Sequence, residues 1–592
     1  MKNVILLLLT VILLENFLFG QQINTPASRP IDYEYLSAPD SAGNRTMLKM
    51  PLTERSTQVM KLPYPIIFIH GLNSICSTWD GTTLWMDDQY GVTYGGRFDY
   101  CLNYDDNQYI ANKDFYPTIN ADIAVFTGTW FVADYYYVNF DVGIDGSYHP
   151  NGSTYDVLSN QAAITKQGMA LRDAINRVLQ LTGRDKVILM GHSMGGLASR
   201  EYLQNPSLWQ PDGQSHVAKL VTTGTPHGGS NAITGGFLSG VDCQGEAYRD
   251  LRRTYSGSGN NGVYLYGGLE STAVLDLSSC SGFYNIDVNC NSSIGNSITG
   301  LNSKNIDTAT VDYSCIIGEC TTCGAGVELP GDGIVNNLKA NINNHCPNCY
   351  TSTSVTNNLF YYRSSALVEI HTDLPNQYYQ NMQGLDEPNE FNLAYGIDFD
   401  TSYTAFTTIQ PSGGYPYDYD DYKFTVPTIS NVTVTVNNIA LADLMVRFVS
   451  SFGTTVGIVQ HSSGSANITF TQALDAGSYY LEIFGTPTTS SYLSPHNFVL
   501  ERVSTVGIET YEELTEVKIY PNPFENSTTL SFSNEQKNTK IKLVDILGNQ
   551  VKSMTFSGKQ LLIEKGEMHA GIYFLQIIKD NEHILSRKII IQ

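Results

Sequence analysis

The sequence predicts an α/β unit, a mostly parallel sheet with helices on both faces, followed by two all-β sandwich units. Three observations carry this. Between residues 61 and 380, short apolar runs alternate with amphipathic helical stretches, the order that builds a parallel sheet covered on both sides. After about residue 385, strand-like runs separated by Gly, Asn, Ser and Pro take over, as in a sandwich or small barrel. A polar stretch near 504–513 then separates a third strand-rich unit, 515–592, from the second, 388–503.

Taken in order, residues 1–20 carry Lys2, an apolar run over 4–14 and the small residue Gly20. That is the length of an export leader and falls short of the roughly 20 residues that span a bilayer. An extension, 21–60, precedes the first strand at 65–69. Ile164, Leu171, Ile175, Val178 and Leu179 recur at helical spacing and predict a helix over 159–181, with Gly183 at its end. Strand runs follow at 187–190, 220–223, 311–317 and 366–370. An insertion at 228–307, rich in Gly, Ser, Asn and Tyr, is expected to act as a lid or cap, or else as a stapled surface excursion. The second unit places strands at 422–426, 432–436, 444–449, 468–470 and 479–483. The third places them at 517–520, 528–532, 540–544, 572–578 and 587–591.

The chain has 592 residues, with 34 Lys+Arg against 57 Asp+Glu and a formal net charge of -23. This disfavours nucleic acid or anionic lipid headgroups as partners, since both call for clustered cations. The acidity reads as solubility. All ten cysteines lie between Cys76 and Cys349. In an exported chain an even number favours disulfides confined to the α/β unit. The competing reading is a four-thiolate zinc site from Cys320-x-x-Cys323 and Cys346-x-x-Cys349.

The sharpest chemical signal is Gly191-His192-Ser193-Met194-Gly195-Gly196, between a strand and a helix. A serine exposed at such a turn needs strained backbone, and the flanking glycines leave room for it. The helix start behind it offers unpaired N–H groups to a developing oxyanion. His70-Gly71-Leu72 ends the 65–69 strand, where a second oxyanion donor is expected, so Leu72 and Met194 are the candidate backbone donors. His70 reads as a structural hydrogen-bonder. A serine nucleophile also needs a histidine base and a carboxylate, in chain order Ser, Asp/Glu, His. Asp332, in Gly331-Asp332-Gly333, is the favoured acid, with Glu328 and Glu319 as alternatives. His371 is the favoured base and His345 the alternative, while His227 reads as a loop-shaping residue. No cofactor or metal is called for in this chemistry.

Together, His70-Gly71 with Trp79, Gly191–Gly196, Thr225–Gly229, Gly331–Val335 and His371 resemble the lipase/esterase branch of the α/β-hydrolases over roughly 61–380. The resemblance implies carboxylic-ester hydrolysis through an acyl-serine, with an ester or lipid as substrate. Other acyl substrates (phospholipid, polyester, amide or thioester) and a non-catalytic surface-binding protein are the alternatives. Asp420-Asp421-Tyr422-Lys423-Phe424, Ala442–Met445 leading to Ser451–Gly453, and Leu474–Tyr480 resemble the prepeptidase C-terminal-like β-sandwich. There Asp418, Asp420 and Asp421 read as a solvated acidic edge, with calcium as the alternative. Ile519–Phe524, Leu543–Gly548, Ala570–Phe574 and the terminal Arg587–Ile591 resemble the type A sorting domain of type IX secretion substrates. It implies the secretion machinery as a partner through 515–592, with release or surface attachment. No span beyond the leader is long and apolar enough to cross a membrane, and the oligomeric state is left open.

Overall fold

A computed structural model describes residues 33–36, 47–49, 60–102, 123–128, 132–140, 159–230, 246–251, 275–276, 283–284, 301–318, 330–345, 359–363, 370–407, 418–439, 444–462, 466–485, 494–504, 517–546, 548–579 and 582–592. The leader at 1–20, most of the 228–307 insertion, the 366–369 part of the expected last strand, Glu319, Glu328 and seven of the ten cysteines lie outside these residues. So does the side chain of Cys101.

The first unit is an α/β hydrolase-like fold built on a 10-stranded sheet. Its order runs Leu359–Arg363, Asp312–Ile317, Val217–Thr223, Val187–His192, Ile66–Ile69, Tyr135–Asn139, Tyr94–Leu102, Ile123–Gly128, Tyr33–Leu36, Met47–Lys49. From Leu359–Arg363 to Tyr94–Leu102 every neighbour is parallel; the remaining strands close the edge antiparallel. Val187–His192, Val217–Thr223 and Ile66–Ile69 are buried at every residue, as strands sandwiched between helices must be.

The helix expected over 159–181 runs Ile164–Thr182, preceded by a 3₁₀ turn at Ser159–Gln161. Gly183 ends it in the left-handed region, φ 69, with its N–H on the Leu179 carbonyl. Leu171, Ala174, Ile175 and Val178 form the face turned to the core. Each large member contributes about 1.5–3 kcal/mol by leaving water. The helix packs closely on Met194–Gln204: a Cβ at Gly168 would stand 2.6 Å from Glu201 Cγ.

The first sandwich has a five-stranded sheet, ordered Tyr395–Gly396, Asp418–Val426, Gly477–Gly485, Met445–Ser450, Thr455–His461. Its four-stranded partner is ordered Ser402–Thr407, Ser494–Ser504, Ser430–Asn437, Ile468–Leu474. Val432, Val434 and Val436 alternate inward along one strand, the period of a half-buried sheet. One expectation is corrected here. Asp418, Asp420 and Asp421 do not form a solvated edge; all three carboxylates are buried.

A further compact unit is built mainly on Glu501–Gln592. Its strands are Val517–Tyr520, Ser527–Val544, Gly571–Lys579 and Glu582–Ile591, with Gln550–Glu564 pairing onto Ser527–Val544. Leu530, Ile541, Leu543, Ile563, Leu575, Ile577 and Ile589 form its core. The two runs expected at 528–532 and 540–544 are the ends of one long strand.

The cysteine expectation is also corrected where it can be seen. Cys76 and Cys315 are buried free thiols, and there is no disulfide among the described residues. The Cys315 thiol donates to the Ala340 carbonyl at 2.9 Å. Burial pushes Cys76 up to about 11, so it behaves as a small apolar group rather than a thiolate.

Candidate active site

Ser193 is the single residue between the buried strand Val187–His192 and the helix Met194–Gln204. Its backbone sits at φ 51, ψ -125, a conformation an L-residue adopts at a cost of about 1–3 kcal/mol. Neighbours enforce it. The Ser193 N–H donates to the Thr223 carbonyl at 2.9 Å, and the Gly196 N–H donates to the Ser193 carbonyl at 3.1 Å. The glycines are a packing requirement. A Cβ at Gly191 would stand 2.5 Å from Gly196 N, and one at Gly195 would stand 2.5 Å from the His70 carbonyl oxygen.

His70 caps the neighbouring strand. Its Nε2 accepts from the Phe140 N–H at 2.9 Å, so its Nδ1 carries the proton and donates to the Gly71 carbonyl, also at 2.9 Å. The Gly71 carbonyl and the Leu72 N–H share one planar peptide unit and point in opposite directions. The His70 bond therefore sets the direction of the Leu72 N–H. Full burial lowers His70 to about 4, which keeps it neutral. Gly71 approaches Ser193 so closely that a Cβ there would lie 2.6 Å from Ser193 Cβ. Met194 opens the helix, so its N–H is one of the four without an intrahelical partner.

Asp332 and His371 meet directly. Asp332 Oδ2 lies 2.7 Å from His371 Nδ1, and both side chains are buried. A carboxylate only accepts, so the Nδ1 proton is the one donated and His371 Nε2 is left with its lone pair. The other carboxylate oxygen accepts from Ile334 N–H at 3.0 Å and Val335 N–H at 2.7 Å. The His371 N–H in turn donates to the Asp332 carbonyl at 3.1 Å. Gly333, at φ 91, makes the tight return between them. Gly224 follows Thr223, the residue that holds Ser193, and a Cβ there would lie 3.2 Å from both Asp332 Oδ2 and His371 Nδ1. His345 stands elsewhere, its Nε2 3.2 Å from the Leu338 carbonyl. His227 is buried, with Nδ1 3.2 Å from Arg200 and Nε2 3.2 Å from the Thr222 hydroxyl.

Two supporting residues, His192 and Asn381, have partners that the sequence did not reveal. His192 Nε2–H donates to the His371 carbonyl at 3.0 Å, and the two rings lie 4.7 Å apart. Burial, with the neighbouring His371 ring, holds His192 well below the usual histidine range. Asn381 is fully buried; it accepts from the Thr223 hydroxyl and donates to the Thr82 hydroxyl and the Leu374 and Pro375 carbonyls, each at 3.0 Å. It thereby pins the His371–Asn376 turn to the strand that holds Ser193. Nothing in the local sequence marks an asparagine in a short helix as such a clamp; only its long-range partners do.

The fold and this constellation define a hydrolase of the α/β class. Residues 64–263 match the PGAP1-like alpha/beta domain. Residues 518–592 match the secretion system C-terminal sorting domain, so the chain carries a type IX sorting domain and is secreted or attached to the cell surface. No described helix is long and apolar enough to cross a membrane. Among curated proteins, an endo-acting ulvan lyase of Formosa agariphila is 25% identical over 148 residues, 24% of this chain and 28% of that enzyme. The match thus spans little more than a quarter of that relative. Among solved structures, the lin2722 gene product of Listeria innocua is similar at 16% identity and TM-score 0.30, covering 55% of this chain and 95% of that one. The pre-peptidase C-terminal domain of Bacillus anthracis collagenase is similar at 17% identity and TM-score 0.15, covering 19% of this chain and 98% of that one.

Proposed function

We propose that this hydrolase cleaves carboxylic esters, acylglycerol-type lipids among them, through an acyl-serine intermediate. The observation that carries the reading is the Asp332–His371 hydrogen bond, 2.7 Å, with the His371 carbonyl bonded to His192, the residue just before Ser193 in its strained strand-to-helix turn. Ser193 Oγ attacks the carbonyl carbon as its proton passes to His371 Nε2. The carbonyl electron pair moves onto oxygen, where the Leu72 and Met194 N–H groups receive it. Collapse expels the alcohol, which takes the proton from His371. Water then repeats the sequence on the acyl-enzyme and releases the acid. Asp332 holds the ring in the Nδ1–H tautomer and stabilises the imidazolium.

A panel of p-nitrophenyl esters graded by acyl length tests the reading. The wild type turns over at least one member, and Asp332→Asn lowers kcat by roughly 10⁴-fold with the fold intact, the consequence of the wrong tautomer. Turnover of Asp332→Asn at the wild-type rate would remove Asp332 from the mechanism. Cleavage of amides with no turnover of any carboxylic ester would replace the substrate class.

A further inference from the structure

The helix Ile164–Thr182 starts without a cap of its own. Ala163 stands at its N-cap and has no side-chain oxygen to offer the first N–H groups. The acceptor comes from 86 residues away: the Ile164 N–H donates to Asp250 Oδ2 at 2.9 Å, and Asp250 is fully buried. Asp250 lies on the short helix Glu246–Leu251, inside the 228–307 insertion. Its carboxylate meets the positive end of the longer helix, where negative charge is stabilised.

That helix start adjoins both residues proposed to supply the oxyanion N–H groups. Just ahead of it, in the turn Ser159–Gln161, Asn160 Nδ2 donates to the Ser74 carbonyl at 3.3 Å and Gln161 Nε2 donates to Asn73 Oδ1 at 3.4 Å. Asn73 and Ser74 directly follow Leu72, and Asn73 is held in the left-handed region, φ 50. One turn into the helix, Gln167 Nε2 donates to the Ala162 carbonyl at 3.1 Å and to Met194 Sδ at 3.8 Å. Asn160, Gln161, Gln167 and Met194 are all buried, so water cannot stand in for these bonds. The short helix is itself tied down. The Leu251 carbonyl accepts from the Ser230 N–H at 2.8 Å, and the Ser230 hydroxyl donates to the Ile334 carbonyl at 2.6 Å, on the turn that holds Asp332.

We propose that Asp250 is a positioning residue for the reaction. By capping Ile164–Thr182 it fixes the Ser159–Gln161 turn and Gln167, and through them the Leu72 and Met194 N–H groups. This rests on the acyl-serine reading above. The helix Glu246–Leu251 then serves as a fixed support of the oxyanion site rather than as a lid. Oxyanion donors act only when aimed at the place where charge develops. A displacement of about 1 Å therefore lowers the rate by roughly 10²-fold while substrate binding holds.

The test uses the full chain, the best ester of the graded panel and a trifluoromethyl ketone. Ser193 Oγ adds to the ketone carbonyl carbon, its proton passes to His371, and the carbonyl electron pair becomes an oxyanion at the same donors. Asp250→Leu, which cannot accept the Ile164 N–H, lowers kcat roughly 10–100-fold with KM within about threefold, and weakens the ketone in proportion to kcat/KM. Asp250→Asn keeps an acceptor oxygen and restores kcat to within about threefold of wild type. Asn160→Ala, which cuts the link at its other end, shows the same paired loss and decides the matter where Asp250→Leu does not fold. Wild-type kcat in either variant, once folded, overturns the proposal. So does a fall in kcat with ketone affinity unchanged, the mark of fewer folded molecules and not of displaced donors. A wild type that hydrolyses no ester overturns the acyl-serine reading and this proposal with it; insensitive variants of an active wild type overturn this proposal alone.

Discussion

At the scale of single residues, His70 shows how a buried ring serves geometry instead of proton transfer. Both of its nitrogens are committed to backbone, and burial lowers it to about 4. Unfolded, the same ring takes up a proton near pH 6.5. Between these values the unfolded chain binds more protons, so the His70 contribution is complete above pH 6.5 and is lost as pH falls toward 4. The shift sets an upper bound of roughly 3 kcal/mol. His192 and His227, also lowered by burial, act in the same direction. Denaturant unfolding of wild type and His70→Gln at pH 7.5 and pH 5 checks this. The wild type loses more stability than the variant on acidification; equal losses would refute the assignment.

At the scale of elements, the turn Gly191–Gly196 is a joint between a strand and a helix that tolerates no extra atom. Gly191→Ala places a methyl 2.5 Å from backbone nitrogen, with no flexible side chain to yield. Its expected cost is about 2 kcal/mol or more of stability, together with loss of esterase turnover, by thermal unfolding and assay. A variant with wild-type stability and turnover would show that the joint can shift. This joint was legible in the sequence because glycine spacing and strand–helix periodicity are local signals. The tight turn at Asp332 was legible for the same reason, flanked by Gly331 and Gly333. Asn381 and His192 were not, because their roles rest on partners such as Thr82 and the His371 carbonyl, distant in the chain. The burial of Asp418, Asp420 and Asp421 was missed for a related reason. A run of aspartates reads as solvated until Glu387 and Lys219 are brought beside it.

At the scale of the whole molecule, an α/β hydrolase unit is followed by β-rich units, the last of which is a secretion sorting domain. Cys76 and Cys315 are buried in the α/β unit without a disulfide. Thiol titration of the non-reduced protein in denaturant is expected to give at least two thiols per chain, whereas none would place both in disulfides. The acidity, with a net charge of -23, is not all on the surface, since Asp386, Glu387, Asp418, Asp420 and Asp421 are buried. The central claim is that Ser193 is an activated nucleophile served by His371 and Asp332. Labelling the secreted protein with a fluorophosphonate probe and mapping the adduct by mass spectrometry tests it most directly. A single adduct on Ser193, absent in Ser193→Ala and strongly slowed in His371→Ala, is the predicted result; no labelling of wild type, or equal labelling of Ser193→Ala, would contradict it.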